Sequence, residues 1–112
     1  IEKGMLSSYH LCKIYSRFQE HGLIDPSQEV VVTSFVDKTV NKDRTVISCA
    51  DLEVQDVTVI NNVELTLKAV NNINLQNVIV KSGATLILEA GGKIRYGAGF
   101  KVESGGAMRI IR

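Results

Sequence analysis

Apolar and polar residues alternate in short runs through the second half of the chain, and the runs recur. From position 52 onward three rows lie over one another: LEVQDVTVINNVELTLKAVNN, INLQNVIVKSGATLILEAGGK and IRYGAGFKVESGGAMRIIR. At an offset of 21 residues, Leu52 falls on Ile73 and Ile94, Val54 on Leu75 and Tyr96, and Val57 and Val59 on Val78 and Val80. One residue is inserted around Gly97–Gly99. At an offset of 22, Phe100 and Val102 then continue the Val78 and Val80 columns, and Leu65 and Leu67, which fall on Leu86 and Leu88, continue to Met108 and Ile110. A fixed period of this length is the mark of a repeat architecture.

Within a row, Ile73-x-Leu75, Val78-x-Val80 and Leu86-x-Leu88 each read as a period-2 strand. Asn, Gly and Ser separate them, at Gln76-Asn77, Ser82-Gly83 and Gly91-Gly92, and these residues tolerate the left-handed backbone of tight corners. Three strands and three corners describe one turn of a β-solenoid, with like residues stacked coil on coil. The expected core is Val57, Val59, Leu65, Leu67, Ile73, Leu75, Val78, Val80, Leu86, Leu88, Ile94, Tyr96, Phe100, Val102, Met108 and Ile110. Outward positions agree with this register: Lys68 falls on Glu89, Lys81 on Glu103, and Ser82-Gly83 on Ser104-Gly105. Unrelated amphipathic hairpins would not keep core, corners and charges in one register. The expected fold class is therefore mainly β: a short three-sided β-solenoid of about three coils of 21–22 residues, with an N-terminal α-helical cap.

The cap is read from positions 4–21. Leu11, Cys12, Tyr15 and Phe18 recur at helical spacing, with Met5 and Tyr9 before them and Lys13, Arg17 and Glu20 on the other face. Ser7 or Ser8 is the N-cap and Gly22 the residue just past the end. Asp25-Pro26-Ser27 then marks a turn. A solenoid leaves its core open at both ends, so the helix is expected to close the first coil, docking on a separate partner domain being the alternative. Strands are expected at positions 30–32 with 35–36 and at 45–47, around a polar loop from Asp37 to Arg44. At an offset of 21–22 this stretch makes an irregular preliminary coil, because Asp37 or Lys38 falls where Val59 points inward. The domains are thus 1–29, helix and linker, and 30–112, solenoid.

The pattern Val78-x-Val80, Gly83-Ala84, Leu86-x-Leu88-x-Ala90, Ile94-x-Tyr96, Gly99-Phe100-x-Val102, Gly105 resembles the three-coathanger stack repeat of secreted and surface proteins of Bacteroidetes-type bacteria. It covers a little over half the chain. The resemblance implies a non-catalytic accessory module of a larger protein. Asn61-Asn62-Val63 departs from the Gly-Ala of that pattern and puts the first corner in doubt.

With 112 residues, 45% hydrophobic and 22% charged, the chain is globular and sized for one domain. Aromatics are only 5%, which suits a narrow aliphatic core, and a net charge of +1 gives no global attraction to nucleic acid or membrane. The given sequence carries no signal peptide and no apolar run long enough to span a membrane, and a leader removed by trimming or processing stays open as an alternative. The chain begins on Ile1, as a trimmed fragment would.

Candidates for chemistry are few. His10 and Cys12 are two apart on the expected helix and point away from each other, and His21 lies eleven residues further on. Asp51, Glu53 and Asp56 lack the spacing of a calcium loop. Gly97-Ala98-Gly99 lacks the third glycine and following helix of a dinucleotide fingerprint. The last row carries Lys93, Arg95, Lys101, Arg109 and Arg112 against Glu103 alone, a place for an acidic polymer, although Arg95 and Tyr96 point to opposite faces. Cys12 and Cys49 are either two thiols or a disulfide. Three coils rise only about 15 Å, too short for the groove of a polysaccharide-cleaving solenoid.

The expectation is a non-enzymatic structural or interaction module, without cofactor or metal, of a larger secreted or cell-surface protein, adhesin-like. Its partners would be the rest of the parent protein or another copy through the solenoid edge, with a glycan as a further candidate. No nucleic acid and no membrane insertion are expected. A self-assembling scaffold of the bactofilin kind and a carbohydrate-binding accessory domain of a hydrolase are the alternatives.

Overall fold

The computed structural model describes residues 21–22 and 29–111. The N-terminal helix expected from Gly4, with its cap at Ser7 or Ser8, lies outside them but for its last residue. His21 and Gly22 form a turn, with Gly22 at φ 71°. No helix occurs among the described residues.

The described chain is a β-solenoid of about four turns with parallel sheets. One sheet contains β1 (Glu29–Val31), β3 (Arg44–Ser48), β5 (Glu64–Ala69), β7 (Thr85–Ala90) and β10 (Ala107–Ile111), in that order. The other contains β2 (Ser34–Phe35), β4 (Leu52–Val59), β6 (Ile73–Val80) and β8 (Ile94–Tyr96), with β9 (Lys101–Val102) also on β6. Every pairing is parallel, as it must be when each strand meets its counterpart one turn later.

The two runs expected as separate strands in each middle coil form one strand bent at its centre. Asp56 and Asn77 take left-handed φ values of 55° and 56°, and the ladder between β4 and β6 skips these two residues. Asx side chains are tolerated in that region where most others are not. In the last coil the inserted residue opens the bend, Gly99 takes φ 83°, and the strand splits into β8 and β9. The solenoid thus has three sides built from two sheets.

The first corner conforms to the others. Asn62 adopts φ 67°, Gly83 φ 83° and Gly105 φ 91°, one above another. Each sits at the third position of a tight turn closed by Val63 N to Ile60 O (3.2 Å), Ala84 N to Lys81 O (3.0 Å) and Gly106 N to Glu103 O (2.8 Å). The amides of Asn62 and Gly83 donate along the stack, to Gly83 O (3.0 Å) and Gly105 O (2.9 Å). Asn62 therefore replaces the glycine without changing the turn.

The preliminary coil is a full coil with shorter corners, which is why the described residues make about four turns and not three. Ser34 pairs with Glu53 and Phe35 with Val54, an offset of 19 residues, and Val40 bridges Val59 at the same offset. Val40, not Asp37 or Lys38, covers Val59, and it is fully buried. Arg44 then pairs with Leu65 at 21. The coil sheds residues at its corners and keeps its inward column. Asp37 caps this region instead, holding Arg44 Nη1 at 3.1 Å while the guanidinium lies 5.1 Å from the centre of the Phe35 ring.

Burial follows the columns until the last coil. Val57, Val59, Leu65, Leu67, Ile73, Leu75, Val78, Val80, Leu86 and Leu88 are buried. Ile94, Phe100, Val102 and Met108 are half-buried against that core. Tyr96 and Ile110 depart from the expected core: they are 45% and 44% exposed. They stand on the right columns, opposite Leu75 and Leu88, but the described chain places nothing beyond them.

Candidate interaction site: the terminal coil

β10 ends one sheet, and β8 and β9 end the other. Their far edges pair with no strand among the described residues, so three strands present unpaired main-chain N–H and C=O groups. Inside this rim lies the open end of the core. The Tyr96 and Phe100 rings meet at a tilt, with centroids 4.9 Å apart and planes at 52°, and Phe100, Val102 and Met108 pack against the core from this side. Ile111, on the outward register, is 40% exposed.

Cations surround this apolar centre. Arg95 leaves the first side, Lys101 the second, Arg109 the third, and Lys93 the corner before β8; all four are exposed. None makes an ion pair within the described residues. The acid of this coil, Glu103, is already held by Lys81 Nζ at 3.2 Å. The expected pair Lys68–Glu89 is also present, at 4.0 Å.

The acids at positions 51, 53 and 56 are tied up in the fold. Asp51 Oδ1 accepts the Asn72 amide N–H (3.1 Å), Glu53 Oε2 accepts Asn74 Nδ2 (2.5 Å), and Asp56 Oδ1 accepts Asn77 Nδ2 (2.7 Å). Each bond joins a carboxylate to an asparagine one coil later. The spacing that carries them is as regular as that of the Lys–Glu pairs. Asn72 Oδ1 in turn accepts the Lys93 amide (2.8 Å). Among the described residues no group of three or more His, Cys, Asp or Glu could hold a metal ion.

A second feature is a shallow groove of about 250 Å³ on the first side, flanked by Glu53, Gln55, Asn74, Gln76 and Arg95 and opened at one end by Gly97. Gly97 serves the corner, donating to Leu75 O at 2.6 Å, and is not part of a nucleotide loop. His21 is exposed. His10, Cys12 and Arg112 lie outside the described residues. Cys49, on the corner after β3, is disulfide-bonded. Nearby, the fully buried Ser48 donates Oγ–H to Asp51 O (2.7 Å) and accepts the Ala50 amide (3.1 Å), which satisfies its hydroxyl.

Comparison of the chain with protein-family models, with curated proteins and with solved structures finds no match.

Proposed function

We propose that this solenoid is a non-enzymatic structural and interaction module, and that it works through its terminal coil. The single observation that supports this is the face of the last described coil, where exposed Tyr96 and Ile110 continue columns that are sealed one coil earlier. An open parallel edge with a half-exposed core is a template for another β-segment. The likeness of its repeat to the three-coathanger stack supports placing the module in a larger secreted or cell-surface protein, adhesin-like.

Amide hydrogen exchange tests this reading. In a dilute sample the β10 amides whose N–H points away from β7 exchange orders of magnitude faster than those of β5 and β7. Equally slow exchange would mean that the end is already covered, and the reading would be lost.

The same edge favours a second reading, assembly of copies into a scaffold. Sedimentation from micromolar to millimolar concentration addresses it. Growth in size that Met108→Glu abolishes supports assembly; a strict monomer, unchanged by that substitution, removes it. The groove beside Gln55 and Gln76 favours a glycan as ligand, which a glycan array would detect and which Gln76→Ala would weaken.

A further inference from the structure

Three buried aliphatic side chains stand outside the solenoid core. Ile47, Val70 and Ile87 are each 8% exposed, yet none belongs to the cluster that fills the interior. The register explains why. Ile47 lies between Val46 and Ser48, and Ile87 between Leu86 and Leu88, all inward, so both isoleucines point out of the β3–β5–β7 sheet. Val70 follows inward Ala69 at the corner after β5, one coil after Cys49. An outward position does not by itself bury an aliphatic side chain on this solenoid. Ile79, outward on β6 between Thr58 and Lys101, is only half-buried, and Ile111, outward on β10, is 40% exposed. No strand or helix among the described residues lies over the outer face of β3, β5 and β7.

We propose that this outer face is the seat of the chain's own N-terminal segment, positions 4–20, which lies along the side of the solenoid with its apolar stripe on Ile47, Val70 and Ile87 and with Cys12 bonded to Cys49. Cys49 is disulfide-bonded, and the chain has two cysteines, so within one molecule its partner is Cys12. Cys12 belongs to the stripe of Leu11, Tyr15 and Phe18 at helical spacing, so the bond and the stripe call for the same face. The lengths agree. Glu29 opens β1 opposite Thr45, so the chain that precedes it arrives at the start of β3. From Glu20 back to Cys12 a helix rises about 12 Å. From Thr45 to Cys49 a strand rises about 13 Å. A helix running back along β3 therefore brings Cys12 to the Cys49 corner and carries Tyr15 and Phe18 over the sheet. Lys13, Arg17 and Glu20 then face solvent. A second copy or a separate domain fits poorly, because either would leave Ile47, Val70 and Ile87 exposed in the single chain, where they are buried.

Peptide mapping without reduction, together with NMR of the full chain, tests this. Mass spectrometry of the monomer finds one linked pair of peptides, carrying Cys12 and Cys49. Nuclear Overhauser contacts join the Tyr15 and Phe18 rings to the methyls of Ile47, Val70 and Ile87. A soluble paramagnetic chelate leaves those methyls sharp while it broadens Ile111. Phe18→Glu removes the contacts and opens the three methyls to the chelate, while the β6 amides keep their protection and so show the solenoid intact. Lys13→Glu, on the opposite face of the segment, changes neither. A Cys49–Cys49 link between two chains would overturn the proposal and assign the face to a second copy. Methyls of Ile47, Val70 and Ile87 that broaden in the parent chain would overturn it in favour of an outside partner. Ring contacts to Phe35 and Val40 instead would put the segment across the end of the first coil and overturn it as well. None of these measurements touches the terminal coil, so their outcome is independent of the reading above.

Discussion

Asn77 stacks on Asp56 one coil away, both in the left-handed region, and its Nδ2 donates to the Asp56 carboxylate at 2.7 Å. One side chain thus permits the bend in β6 and fastens it to the bend in β4. A β-branched residue can do neither. Asn77→Val is expected to cost about 1–3 kcal/mol in urea unfolding, from the left-handed backbone alone. Asn77→Gly keeps the bend and loses only an exposed hydrogen bond, so it stays within about 1 kcal/mol of the parent. Equal losses in the two variants would show that the bend is not set by this residue's backbone.

Leu86 and Thr85 are neighbours on β7 and face opposite ways. Leu86 lies fully buried between Leu65 and Met108, whereas Thr85 is half-buried on the outer surface. Leu86→Ala is expected to cost about 2–5 kcal/mol, since a middle coil cannot collapse onto the void without moving its neighbours. Thr85→Ala should change stability by less than about 1 kcal/mol. Comparable midpoint shifts in denaturant would contradict the register.

The columns were legible in the sequence because a parallel solenoid repeats its side-chain direction once per coil. Val78, Val80, Leu86 and Leu88 announce both direction and period. The first coil was misregistered because direction and period separate there: the corner between Val40 and Arg44 is two residues shorter than the one between Val59 and Leu65, so the offset before it is 19. A search that allowed corners to shrink would have found Val40 over Val59. The Asp51–Asn72, Glu53–Asn74 and Asp56–Asn77 ladders carried a signal as regular as the Lys–Glu pairs, but acid and amide were not read as partners. The exposure of Tyr96 and Ile110 had no signal in the period at all. Period fixes which way a side chain points, and cover depends on whether another coil follows.

Gly106 is constrained by crowding. A methyl group on it would lie 2.9 Å from Lys81 O and 3.1 Å from both Glu103 O and Val80 O, all main-chain atoms that cannot rotate aside. Gly106→Ala is therefore expected to push the last coil off β7 and cost about 1–3 kcal/mol, as overpacked sites do. Because Ala107 N donates to Ala84 O immediately after this point, the damage should concentrate in β10. Hydrogen exchange should show β10 amides losing protection while β4 and β5 keep theirs. Uniform loss along the whole solenoid would mean that the last coil is not a separate cooperative unit.

Leu88 and Ile110 share one inward column and differ only in what lies beyond them. Leu88 has Leu67 on one side and Ile110 on the other and is completely buried; Ile110 has Leu88 on one side and is 44% exposed. Truncating each therefore measures the cover. Leu88→Ala should cost about 2–5 kcal/mol. Ile110→Ala, at the open face, should cost less than about 1 kcal/mol in the isolated chain. Thermal unfolding of the two variants measures the difference in cover. Equal losses at the two positions would show that Ile110 is covered as fully as Leu88.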